Sequence, residues 1–358
     1  MAHSVDGRWY RWLLAPVWIA QLATGAKSFV DNPILGSRAL NRCGLHVARL
    51  RVAHRLAWWR RRRLAAAIDP DDRAAFDRDG VVCIPDFLAS DKFARLRDAL
   101  LTALLEARDH RQGNSVTRRF AIDDALATTI PELSDLIGSP RWKGLMRYVA
   151  STGGEPLYYL QTILSGLDGP PDPQLTLHSD AFHPSLKAWF FLTDVADDAG
   201  PLTYVPGSHR LTKRRLAWEK EKSLEVLARG DRLSQRGSLR IAEVHLARIG
   251  LPPPRRFAVP ANTLVVADMF GFHARGDSVR PSIRVEIWAY RRRSPFLPWT
   301  GLNLLSLHGF ALRRARWAYR MTDWLDRRGW RQQHWTAVGA RHATDRSIEP
   351  AGHGPRTE

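Results

Sequence analysis

Hydrophobic positions recur with a helical period through much of the first half of the chain and as short runs broken by Gly, Pro and Asp beyond Pro156. Residues 1–70 read as helix, interrupted at Asn32, Pro33 and Gly36, so at least two helices are expected there. The run Asp69-Pro70-Asp71-Asp72 is an N-cap signal that opens a new helix through Phe76. A turn at Gly80, a short strand over 81–85 and a helix from Ser90 follow, with Phe93, Leu96, Leu100, Leu101 and Leu104 at helical spacing as a core-facing stripe. Strands are expected over 157–164, 187–193, 202–206, 262–267 and 283–290. Short strands separated by turn residues suggest a β-sandwich or jelly roll, mainly β with flanking helices.

The same pattern divides the chain. Residues 1–70 form a basic, Trp-rich helical extension, 71–295 the β domain, 296–340 a basic helical tail and 341–358 a disordered end. A charged stretch at about 211–260, helical around Trp218 to Arg229, reads as an insertion between two strands.

Composition changes the picture through charge. With 54 Lys and Arg against 36 Asp and Glu, the formal net charge is +18, concentrated in residues 49–63 and 291–331. Such an excess suits an anionic partner: a membrane face, a phosphorylated substrate or nucleic acid. No nucleic-acid motif accompanies it, which disfavours the last. Two cysteines, Cys43 and Cys83, make neither a disulfide framework nor a zinc site, so a reducing, cytoplasmic location is expected. No apolar run reaches 18 residues. The segment Trp12 to Ala26 reads as an interfacial anchor at the inner face of a membrane, a packed helix or a signal peptide. Trp9, Tyr10, Trp18, Trp58 and Trp59 lie among arginines, as in helices that rest on headgroups or pack on the main domain.

The chemistry rests on His178-Ser179-Asp180, whose ligand-type side chains share one face if the segment is extended. His273, after the strand over 262–267, would complete a facial set of two imidazoles and a carboxylate, which suits Fe(II) and leaves positions for a chelating cosubstrate and O2. Arg284 opens an apolar strand (IRVEIWAY) and there needs an anionic partner, which the far carboxylate of a metal-bound dicarboxylate would supply.

These residues and their surroundings, from FDRDGVVCIPDFL through LHSDAFHPSLKAWFFLTDVADDAGPLTYVPGSHR to HARGDSVRPSIRVEIWAY, resemble the phytanoyl-CoA dioxygenase family over residues 76–290. The resemblance implies a double-stranded β-helix, a jelly-roll barrel, and an Fe(II)- and 2-oxoglutarate-dependent dioxygenase. By it His178, Asp180 and His273 bind iron, Arg284 grips 2-oxoglutarate, and Trp189 and Gln161 line the cosubstrate pocket. O2 is the second cosubstrate and ascorbate an optional reductant. The carboxylate at Asp180 argues for hydroxylation rather than halogenation, on a small molecule, an acyl chain or a lipid-linked substrate. Ser179, Ala199-Gly200-Pro201 and Arg275 depart from the family's usual pattern, so the substrate pocket should differ from those of the best-known members.

His183, Asp268 and Phe270 are candidates for substrate contact, against buried structural roles; His209 and Arg210 read as turn residues. The alternative to an enzyme is a non-catalytic membrane- or nucleic-acid-binding protein that retains the barrel.

Overall fold

The computed structural model describes residues 13–301 and 312–346. Trp9, Tyr10, Trp12 and residues 347–358 lie outside these.

Eleven strands among the described residues form two antiparallel sheets: β1 (Val81–Ile84), β2 (Leu105–Gln112), β3 (Ser115–Ala121), β4 (Leu157–Ser165), β5 (Leu186–Phe191), β6 (Leu202–Tyr204), β7 (Arg255–Phe257), β8 (Leu264–Asp268), β9 (His273–Arg275), β10 (Ser282–Arg291) and β11 (Thr336–Arg341). The large sheet runs β1-β8-β5-β10-β4-β3-β2-β11 and the small one β7-β6-β9. Trp189, Phe191, Val265 and Trp288 of the large sheet share one apolar cluster with Leu202, Tyr204 and Phe257 of the small one, so the sheets face each other as a jelly-roll sandwich. The opposite face is covered by the helices Ser90–Thr102, Pro131–Gly138 and Pro140–Ala150, through Phe93, Leu96, Leu133, Trp142 and Leu145.

Alternation along the strands sorts the residues between the two faces. On β10, Val285, Ile287 and Ala289 point to the helices. Arg284, Trp288 and Tyr290, on the other parity, line a cavity between the sheets. β5 splits Leu186, Ala188 and Phe190 from Lys187 and Trp189 in the same way.

The expected helices of the amino-terminal region are present as Ala15–Leu22, Arg38–Arg42 and Leu45–Leu64, separated at Asn32 to Gly36. The charge of residues 49–63 is only partly a solvated face. Arg49, Arg60 and Arg61 are buried, and their guanidinium groups bond to carbonyls. Arg49 donates to Leu22, Thr24 and Ala26, Arg60 to Ser151, Pro295 and Leu297, and Arg61 to Tyr148 and Val149. These arginines fasten the amino-terminal helices to the body by satisfying carbonyls that a burial without donors would leave costly.

Three expectations are corrected. The helix from Ser90 stops at Thr102, leaving Leu104 62% exposed rather than in the core stripe. The hairpin β2–β3 escaped the sequence pattern because β2 (LEARDHRQ) is charged and half-exposed, while β3 (SVTRRFA) is largely buried but interrupts its apolar residues with Arg118 and Arg119. The carboxy-terminal region is not wholly helical: the helix Arg314–Arg327 is followed by β11, which pairs with β2. Residue 341 ends that strand, and beyond it Ala343 is buried and its carbonyl accepts a bond from Thr162, so residues 341–346 do not belong to a disordered end. No described helix is long and apolar enough to cross a membrane.

Candidate active site

His178 and His273 come from distant parts of the sequence and meet through a two-residue antiparallel bridge, His178 N–H to His273 O at 2.9 Å and the reverse at 3.0 Å. That bridge sets the imidazoles with centroids 4.5 Å apart. Asp180 is held by its N–H on the Met269 carbonyl, just upstream of His273. The ligand atoms of His178, Asp180 and His273 all lie within 4.8 Å of one another.

Each imidazole is oriented by its far nitrogen. Nδ1 of His178 lies 2.8 Å from the Thr176 carbonyl and Nδ1 of His273 3.0 Å from that of Gly271. A carbonyl accepts only, so both Nδ1 atoms donate and both Nε2 lone pairs are left facing the site. A Cβ on Gly271 would sit 1.9 Å from the Tyr204 hydroxyl, so only glycine allows this close approach.

Asp180 Oδ1 lies 3.5 Å from both Nε2 atoms, and Oδ2 lies 2.6 Å from Lys187 Nζ. Burial pushes the Asp180 carboxyl up, but Lys187 and the two histidines hold it well below the usual carboxylate range. Burial, with the neighbouring His273, lowers the pKa of His178. The set presents two imidazole Nε2 atoms and a carboxylate to one point, the donors that a cation takes. His273 Nε2 is buried and has no hydrogen-bond partner among the described residues, Asp180 Oδ1 lying 3.5 Å away. A divalent metal ion would fill that vacancy in bonding, and one carboxylate with two imidazoles matches the donor preference of Fe(II).

The triad opens into a cavity of about 630 Å³ between the sheets. Arg284 and Trp189 line it, as does Gln161 on β4. Arg284 is 7% exposed; its Nε donates to Glu286 at 2.8 Å and its Nη1 to the Gly200 carbonyl at 2.7 Å. Gly200, at φ +68°, adopts the left-handed turn that presents that carbonyl. Gln161 accepts from Arg119 and donates to Glu286, so Arg119, Gln161, Glu286 and Arg284 form one chain of bonds.

His183, Asp268 and Phe270 are not brought to this cavity. His183 is buried beside Arg292 and Gly25, with Nδ1 on the Pro184 carbonyl. Asp268 is fully buried, paired with Arg61 at 2.8 Å and accepting from the N–H groups of Ser185 and Phe270. Phe270 packs edge-on against His54, 4.2 Å between centroids. His209 lies buried against Phe76, and Arg210 bonds to the Asp77 carbonyl.

Several lining residues went unread in the sequence. Lys187, Trp288 and Tyr290 share the strand parity of Trp189 and Arg284, a signal that was available. Arg119, stacked 3.9 Å over Trp288 and 4.5 Å over Trp335, sits on the unforeseen hairpin, and Arg275 is tied to Asp172 at 2.6 Å.

With this geometry established, comparison with known proteins is informative. The model of the family described as phytanoyl-CoA dioxygenase (PhyH) matches residues 76–230. The phytanoyl-CoA dioxygenase match spans the first two ligands, His178 and Asp180, and stops before His273. A curated relative, ectoine dioxygenase of Halomonas elongata, is 32% identical over 156 residues, which is 38% of this chain and 44% of the relative. The chain therefore matches less than half of that protein's length.

Among solved structures, the epimerase SnoN in complex with Fe3+, alpha ketoglutarate and nogalamycin RO is 22% identical, covers 67% of this chain and 93% of its own, and has a TM-score of 0.41. HygX from Streptomyces hygroscopicus with nickel and 2-oxoglutarate is 18% identical, covers 62% of this chain and 86% of its own, with a TM-score of 0.39.

Proposed function

We propose that the protein is an Fe(II)- and 2-oxoglutarate-dependent dioxygenase that hydroxylates an unactivated C–H of an anionic small-molecule, acyl or lipid-linked substrate. The observation that carries this reading is one cavity holding both the triad, with the buried Nε2 of His273 unbonded, and Arg284. The match of residues 76–230 to the phytanoyl-CoA dioxygenase family model supports it.

In this reading His178, Asp180 and His273 hold iron, and Arg284 receives the distal carboxylate of 2-oxoglutarate. Bound Fe(II) with 2-oxoglutarate supplies the oxidising power of O2 for a C–H bond. The chain's own contribution is placement. Glu286 and the Gly200 carbonyl fix the Arg284 guanidinium, so its fork meets a carboxylate without first being ordered. Lys187 neutralises Asp180 Oδ2, leaving Oδ1 directed at the metal position. Trp189 and Trp288, adjacent in register across β5 and β10, form an apolar wall that excludes water from the reacting C–H.

The substrate's charge follows from the lining. Beside Arg284, the cavity wall carries Arg119, Lys187, Arg275 and Arg331; among the described lining residues Asp180 is the carboxylate, and Glu286 and Asp172 pair with Arg284 and Arg275. A dicarboxylate on the iron neutralises part of this, and the remainder favours a substrate bearing an anionic group.

The test is anaerobic loading with Fe(II) and then 2-oxoglutarate. Iron at one equivalent and a new visible absorption on adding 2-oxoglutarate are expected; failure to retain iron in wild-type protein would refute the reading, and would favour a non-catalytic barrel.

A further inference from the structure

The amphipathic helix Arg314–Arg327 turns Ala315 and Tyr319 to the body, where Ala315 is 1% exposed. Its outer face carries Trp317, Met321 and Trp324, 60%, 58% and 38% exposed, at spacings of four and three that align them on one stripe. Trp330, just beyond the helix, is 67% exposed and edge-on to Trp324. Soluble surfaces seldom gather large apolar side chains in this way. Arg320, Arg327 and Arg328 surround the stripe, Arg328 lies over both Trp324 and Trp330, and Arg313 and Arg316 are paired with Asp124 and Asp123 of the body.

A second helix shows the same character. Ala15–Leu22 buries none of its residues, and Leu13, Val17 and Ile19 are 70%, 51% and 59% exposed. The helix Arg314–Arg327 borders a crevice of about 400 Å³. Arg292 lines it beside Arg313, Arg314 and Trp317, and donates to the carbonyl of Gly25, which follows the first helix by three residues. Leu157 and Tyr290 line both this crevice and the cavity of the metal triad. The apolar, arginine-edged helix Arg314–Arg327 therefore lies beside the candidate active site.

We infer that the helix Arg314–Arg327 docks the protein on an anionic bilayer, with Trp317, Met321 and Trp324 entering the headgroup boundary and Arg320, Arg327 and Arg328 on lipid phosphates. The chemistry is that of interfacial helices: aromatic and aliphatic residues supply apolar burial, and cations supply attraction to negative lipid. A chain with net charge +18 adds long-range attraction to the same surface. The docking goes beyond the dioxygenase reading and stands or falls separately from it.

The experiment is flotation of the full-length protein with vesicles of phosphatidylcholine alone and of phosphatidylcholine mixed with phosphatidylglycerol. Flotation with the mixed vesicles only, reduced by added salt, is expected. Two variants divide the contributions: W317S/M321S/W324S removes the apolar stripe and R320E/R327E reverses two charges. Each should float at least about tenfold less at equal lipid while keeping the wild-type thermal transition. H178A should float like wild type, since the metal site is not in the surface. Equal flotation of wild type and a folded stripe variant overturns the inference. So does absence of flotation, and binding of single-stranded DNA in its place would assign the basic face to nucleic acid.

Discussion

Replacing Arg284 by Lys tests the cosubstrate site most directly. The side chain is 7% exposed and uses Nε on Glu286 and Nη1 on Gly200 O, leaving Nη2 without a partner among the described residues. A lysine keeps the charge but presents an ammonium in place of a planar fork, so it cannot satisfy Glu286, Gly200 and a carboxylate with the same geometry. Loss of one charge-assisted hydrogen bond costs roughly 1.5–3 kcal/mol. This corresponds to 2-oxoglutarate binding weaker by roughly 12- to 150-fold. The assay is titration of the anaerobic Fe(II) protein with 2-oxoglutarate by its visible absorption. Arg284→Met goes further, leaving the fully buried Glu286 without its cation, and should lower unfolding stability by about 3–5 kcal/mol in urea. Iron content should stay at wild-type level in R284K, because Arg284 touches no ligand of the triad. A wild-type dissociation constant for 2-oxoglutarate in R284K would refute the assignment of Arg284.

Other outcomes follow from the same geometry. Asp180→Ala leaves two imidazoles without a carboxylate beside Lys187, so iron measured after reconstitution and desalting should fall below one tenth of an equivalent, roughly, given the loss of the one charged ligand. Gly271→Ala drives a methyl into Tyr204, displacing the carbonyl that orients His273; iron affinity should drop about 10- to 100-fold while β-sheet circular dichroism is retained. For pH, burial and then Arg292 lower the His183 pKa from 6.5 to about 3. The unfolded chain therefore takes up a proton that the folded chain refuses, so stability is full above pH 6.5 and declines as pH falls toward 3. The loss from this group is about 1.4 kcal/mol per pH unit within that window. Urea midpoints at several pH values should show it, and a H183N variant with an unchanged slope would contradict the argument.

The sequence legibly carried the candidate triad and Arg284, though not all of the cavity lining. His178 and Asp180 stand two apart, Arg284 interrupts an apolar strand, and the strand periods assign Trp189 and Arg284 to one parity. These features depend on residue type and short spacing, which the chain states directly. The jelly-roll class was equally readable, because alternating strands with turn residues have few other ways to bury both faces. The hairpin β2–β3 and the strand β11 were not, since their arginine-rich residues lack an apolar period and are extended only because neighbouring strands pair with them.

What only the tertiary structure decided concerns partners far apart in the chain. Asp268 and Phe270 lie within five residues of His273, yet the turn at Gly271 sends them to Arg61 and His54 and leaves the imidazole alone in the cavity. Arg49, Arg60 and Arg61, which the composition groups with the solvated charge, are consumed by buried carbonyls, whereas Arg119 and Lys187 are delivered to the cavity. The bridge that joins His178 to His273 spans nearly a hundred residues and exists because two sheets fold over one core. Residue type and spacing declare what chemistry a side chain can do; burial and long-range hydrogen bonding decide which side chains are left free to do it.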